Sequence, residues 1–133
     1  FKLVFGPNLG IISDVGSSWF VPNLIGRARA NGMGLLGEDI SAEQAKNWGL
    51  IWDFVEDDDL LSKSLEIAER LANGPIDGLK AIVKAHDNAL STSLNEQLDY
   101  ERDAQEVLLD KKEFKEGVSA FIDKRKPNFR DLS

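Results

Sequence analysis

At 133 residues, 42% of them hydrophobic, the chain has the size of one domain and enough apolar material for a compact globular core. A balance of 16 basic against 23 acidic residues, net charge −7, excludes a surface that tracks a nucleic-acid backbone. With no cysteine, disulfides and thiolate metal sites are excluded; a single histidine without paired ligand spacing argues against a zinc site, and with no apolar run of membrane-span length and no signal peptide at the start, a soluble, cytoplasmic protein is expected.

Residues 1–5, F-K-L-V-F, are rich in strand formers and are expected as a strand ended by Gly6, Pro7 and Asn8. A start on Phe1 in place of Met leads us to expect further residues in front of it, removed by truncation or cleavage. The apolar stretch Leu9 to Ile12 then delivers Ser13 and Asp14 to a helix start. Asp14 can cap the free N–H groups of the first turn, where Ser17 and Ser18 add short polar side chains.

A helix follows from Trp19 to Leu24, with Pro22 near its beginning or bending it. After Gly26 the apolar positions from Arg27 to Leu36 fit a second helix, in which Gly32 and Gly34 each cost roughly 1 kcal/mol relative to alanine. Gly37 ends it, the S-x-x-Q capping box of Ser41 and Gln44 opens a third helix, and Gly49 closes that one.

Residues 51–55 are expected as a short strand or an extended stretch. The acids Glu56 to Asp59 suit the positive end of the next helix, whose apolar residues Leu61, Leu65, Ala68 and Ala72 recur at helical spacing. Consecutive acids point in different directions, so the run reads as a solvated cap and not as a Ca²⁺ loop. Pro75 opens a helix with Leu79, Ile82, Val83, His86 and Leu90 on one face. His86 could act as a general base, but no orienting partner stands near it, and a packed or interface histidine is the reading preferred.

The longest helix is expected from Ser91 to Asp110, where Glu101 interrupts the apolar side and calls for a salt bridge or a place at the edge. The last helix runs from Lys112 to Arg125, carries Phe114, Val118, Phe121 and Ile122 inward, and is stopped by Pro127. Lys124, Arg125, Lys126 and Arg130 form the one basic patch.

Three strings carry a resemblance: G-I-I-S-D-V-G-S-S-W-F-V-P-N-L-I-G-R-A-R-A, L-L-G-E-D-I-S-A-E-Q-A-K-N-W-G-L-I, and S-A-F-I-D-K-R-K-P-N-F. Their order and spread are similar to the second half of the crotonase superfamily, the enoyl-CoA hydratase/isomerase family. The acid after G-I-I-S resembles the branch of phenylacetate-pathway ring-epoxide/oxepin-CoA isomerases, and aromatic acyl-CoA dehalogenases also place an acid there.

The resemblance implies a mainly α unit with one or two short strands, the C-terminal helical half of a crotonase-like spiral α/β fold. Within the single unit 1–133, residues 1–55 would end the crotonase core and residues 56–133 would form a helical region for oligomerisation and CoA contact. It further implies acyl-CoA as substrate without a metal or other cofactor, and a homo-oligomer, trimer or hexamer. Asp14 becomes the catalytic acid/base of an isomerase, its other reading being the helix cap.

Phe121 and Lys124 become contacts for the CoA adenine and phosphates, although Phe121 fits the core stripe equally well. The oxyanion-hole glycines of the family belong to the half that precedes this one. Two alternatives therefore stay open: a non-catalytic remnant or interaction domain, and a dehalogenase-like enzyme with Asp14 as nucleophile.

Overall fold

The computed structural model describes residues 1–132. It carries seven α-helices: α1 (Ser17–Ile25), α2 (Arg27–Leu36), α3 (Ala42–Trp48), α4 (Leu60–Ala72), α5 (Ile76–Ala89), α6 (Leu94–Leu109) and α7 (Lys112–Ile122). They fall into two compact units, Phe1–Asp58 and the residues from Asp59 onward.

The first unit is built from glycine-punctuated helices. Gly26 and Gly37 bound α2 with φ of 81° and 65°, in the left-handed half of backbone space where a Cβ is unfavourable. Ser41 caps α3 by accepting the Gln44 N–H at 3.0 Å, and Gly49 closes it. The buried centre is Ile25, Met33, Ile40 and Ala45, with Leu3, Val21, Ala30, Trp48, Leu50 and Ile51 packed around it.

No strand forms among the described residues: residues 1–5 depart from the expectation, and of the two alternatives for residues 51–55 the strand is not taken. At the chain start, ladder pairing is limited to Phe1 and Ile40, whose N–H groups each donate to the other's carbonyl. A strand needs a partner along its length, and this one has a partner at one residue only. The chain instead winds into a π-helical turn, Phe5–Leu9, closed by Gly10 at φ 69°. In residues 51–55 the Phe54 N–H is taken by the Asp53 carboxylate at 2.9 Å and the Ile51 N–H by the Ala45 carbonyl, so local bonds displace a ladder.

Gly6 belongs in that turn because a Cβ there would stand 2.9 Å from the Gly34 carbonyl oxygen, whereas one on Gly32 would meet open space. Opposite outcomes are expected. Gly6→Ala should lower stability by about 1–3 kcal/mol through overpacking against backbone, and Gly32→Ala should raise it by up to about 1 kcal/mol through helix propensity. Urea denaturation of the two variants beside the parent chain checks both signs.

The 3-10 turn Asp57–Asp59 leads into α4, the first helix of the second unit, and Pro75 takes the N-cap position of α5. The capping box of Ser93 and Glu96 starts α6, later than the expected Ser91. The end of α7 also differs from expectation. Ile122 is its last residue, because Lys124 turns into the left-handed region at φ 52°. The Arg125 N–H then returns to the Ala120 carbonyl and the Lys124 N–H to the Phe121 carbonyl, the two bonds of a Schellman close.

The composition suggests a larger core than the chain builds. Of the described residues in the second unit only Ala120 is buried among the hydrophobic ones, and Leu61, Leu65, Val83, Leu94 and Ile122 are exposed. Each amphipathic helix keeps part of its apolar stripe in contact with water. Among the described residues no helix is long and apolar enough to cross a membrane.

Candidate functional site

Asp14 lies in the loop between the π-helical turn and α1. Its carboxylate does not cap the helix: Gly16 is the N-cap residue, and no side-chain cap bond is made there. The Asp14 main-chain carbonyl accepts instead, from the Ser17 N–H at 3.0 Å and the Ser17 hydroxyl at 2.7 Å. A tight reversal makes this possible, with Val15 at φ 51° and Gly16 at φ 76°.

A β-branched residue is out of place in that region, and Val15, 93% exposed, has no packing to compensate. The reversal turns the Asp14 side chain loose from the helix it precedes. The carboxylate is exposed and has no hydrogen-bond or ion-pair partner among the described residues.

A cleft of about 450 Å³ is lined by Ser13, the chain neighbour of Asp14, and by Ser17, Ser18, Arg27 and Asn31, with Ile11, Ile12, Val21 and Leu35 among its apolar walls; Asp14 itself is not among the lining residues. Short hydroxyls and an amide over an aliphatic floor suit an acyl group with a polar end.

Phe121 and Lys124 belong to the second unit. Phe121 is 85% exposed, so it is not part of a core within this chain, contrary to its helical periodicity. With Phe114, Val118 and Phe129 it lines a cleft of about 420 Å³ whose surface is mostly apolar. Lys124 stands at the Schellman turn just past the end of α7, exposed and with no ion-pair partner among the described residues.

Its neighbour Arg125 is engaged: Nη1 and Nη2 donate to Glu116 at 2.6 and 2.9 Å. That fork, with the Asn128 N–H at 2.8 Å, holds the Glu116 carboxyl down from 4.5 to about 2. Glu116 in turn pushes the Arg125 guanidinium further up.

The folded value of Glu116 is the lower one, so the clamp contributes in full above about pH 4.5 and is lost as pH falls through about 2. Melting curves taken in that window should show the parent chain losing stability with acid more steeply than Glu116→Gln. Parallel curves would remove the clamp from the acid limb.

The other candidates stay apart from both clefts. His86 is exposed in the last turn of α5, with no carboxylate positioned to orient it. Glu101 is exposed, and the salt bridge expected of it does not form among the described residues. Water solvates it directly, which removes the need for a partner. Nor do the described residues place any group of three or more His, Cys, Asp or Glu side chains where they could hold a metal ion.

The profile of the enoyl-CoA hydratase/isomerase family matches residues 4–132, nearly the whole chain. The chain belongs to the enoyl-CoA hydratase/isomerase family. It is 46% identical over 129 residues to the 1,2-epoxyphenylacetyl-CoA isomerase of Escherichia coli (strain K12), covering 97% of this chain and 49% of that protein. A probable enoyl-CoA hydratase of Rhodobacter capsulatus is 41% identical over 121 residues, covering 91% and 47%.

Among solved structures, an enoyl-CoA hydratase/isomerase described as putative, from Mycobacterium abscessus, superposes with a TM-score of 0.89 at 31% identity, over 96% of this chain and 49% of the other. The chain thus spans about half the length of the relatives it matches. Its all-helical build corresponds to the C-terminal helical half of the family's fold.

Two features of these sites escape a reading of the sequence. The Glu116–Arg125 pair spans nine residues, outside the helical neighbour spacings that a periodicity search tests. The Val15 reversal has only the V-G dipeptide as its signal, and valine gives no hint of a positive φ.

Proposed function

We propose that this chain is the acyl-CoA-handling half of an enzyme that isomerises an enoyl- or ring-epoxide-type acyl-CoA. Asp14 moves the proton, and Phe121 and Lys124 meet the CoA adenine and phosphates. The observation that carries this reading is the 46% identity with a 1,2-epoxyphenylacetyl-CoA isomerase over 129 residues. The Asp14 carboxylate, bound to no partner among the described residues, supports it, since a proton carrier must not be locked in a cap, and the chain neighbour Ser13 lines a cleft.

In such a reaction a carboxylate removes a proton next to the thioester carbonyl and returns it at another carbon. Charge collects on the thioester oxygen between the two steps, and aimed backbone N–H groups stabilise it. In the family those donors come from the half of the fold that precedes this one. The work of this chain is therefore to supply the proton carrier, a wall of the acyl cleft and a cation for phosphate. Turnover by a protein carrying both halves, with and without Asp14, is the test, and its expected size is argued in the Discussion.

The same reading makes the chain part of a cytoplasmic trimer or hexamer. Exposed Leu61, Leu65, Val83 and Ile122 leave more apolar surface in water than a stable monomer normally keeps. Sedimentation velocity at micromolar concentration should show an oligomer that depends on these helices. A well-folded monomer would rule this assembly out.

A further inference from the structure

The sequence offers four cations at the end of the chain, Lys124, Arg125, Lys126 and Arg130, as one basic patch. The geometry divides them. Arg125 spends its fork on Glu116, its Nε faces Asp123 at 3.5 Å, and its remaining bonds go to the Ser119 hydroxyl and the Lys126 carbonyl. With two carboxylates around it, Arg125 is neutralised in place, while Lys124 next to it has no carboxylate partner.

Glu116 does more than neutralise. Its side chain is only 16% exposed, and Oε1 accepts both from Arg125 and from the Asn128 backbone N–H, twelve residues downstream. The Asn128 side chain then donates to Asp131 at 2.6 Å, at the start of the closing 3-10 turn Arg130–Leu132. One carboxylate therefore fastens the segment after α7 back onto α7. Phe129, inside the fastened segment, lines the cleft that Phe114, Val118 and Phe121 also line.

We propose that Glu116 is a positioning residue for acyl-CoA recognition: it fixes Arg125 and the Asn128 backbone, so that Lys124 is presented as the phosphate cation and Phe129 is held as one wall of the aromatic cleft. This rests on the reading of Phe121 and Lys124 as CoA contacts.

Charge arithmetic and positioning predict opposite signs for Glu116→Gln. Removing a negative charge beside a phosphate site tightens anion binding if charge alone matters. If Glu116 positions, the freed segment carries Lys124 and Phe129 out of place, and CoA binding weakens about tenfold, the scale of a lost charge-assisted hydrogen bond.

The experiment is calorimetry of the intact chain with CoA, beside amide exchange at Asn128. Glu116→Gln is expected to weaken CoA about tenfold and to speed exchange. Lys124→Ala is expected to weaken CoA while exchange stays slow. If Glu116→Gln fails to fold, Asn128→Pro deletes the backbone donor together with the side-chain bond to Asp131, leaves the Glu116–Arg125 pair, and is expected to weaken CoA as well, while Asn128→Ala, which keeps the backbone donor, is expected to weaken it less. Equal or tighter CoA binding by Glu116→Gln, with Lys124→Ala still weakened, overturns the positioning role and leaves the CoA reading standing. No CoA binding by the parent chain overturns the reading of Lys124 and the positioning role with it.

Discussion

Asp14→Asn is expected to lower isomerase turnover by about 10²- to 10⁴-fold in a protein that joins this chain to the oxyanion-hole half of the fold. The amide is close in shape to the carboxylate but cannot accept a proton and return it, so the proton-transfer contribution is lost. Stability should hardly change, because the carboxylate engages no partner among the described residues and does not cap α1. A drop in kcat with KM and melting temperature preserved is the expected pattern, that of a group acting in the transition state only. Unchanged kcat would remove Asp14 from the chemistry.

Lys124 is expected to separate binding from stability. It occupies the left-handed position of a Schellman close where glycine is the common residue. Lys124→Gly should therefore raise stability by up to about 1 kcal/mol, by removing the Cβ from an unfavourable backbone region. It should also weaken CoA binding about five- to tenfold at low salt, as the phosphate loses a point charge. Lys124→Ala should weaken CoA to the same extent without the gain in stability, and the loss should shrink at high salt as screening removes what the charge supplied. Calorimetry at two ionic strengths and a melting curve for each variant check the pattern. A variant that gains stability and keeps its CoA affinity would leave Lys124 as a turn residue alone.

Chain-local signals brought the sequence a long way toward the fold. Glycines at 26 and 37 bound α2 at the residues expected, and Ser41 caps α3 as the S-x-x-Q spacing predicts. Such signals survive because caps and glycine turns depend on a few adjacent residues. The same kind of signal, S-L-N-E at Ser93 to Glu96, stands in the sequence and marks the start of α6, which periodicity alone put earlier.

The strands were illegible for the opposite reason. β-propensity describes residues that fit a paired surface, and residues 1–5 pair at Phe1 only. Asp14 is a candidate by resemblance alone, whereas its release from the helix start depends on the positive φ of Val15, a backbone property that valine does not advertise. The role of Phe121 was ambiguous in sequence because an exposed aromatic and a core aromatic have the same period, and only its 85% exposure separates them.

On the function proposed above, this chain supplies a proton carrier and CoA contacts, and the donors that stabilise the oxyanion come from the half of the family's fold that precedes it. Removing even one such donor typically costs about 10²- to 10³-fold. The most direct measurement is turnover of enoyl-CoA and ring-epoxide acyl-CoA substrates by the purified 133-residue chain, run beside Asp14→Asn. No appreciable isomerase or hydratase activity, with any trace insensitive to the substitution, is the predicted result. Robust turnover abolished by Asp14→Asn would contradict it and show that another segment or subunit of this same chain rebuilds the oxyanion hole.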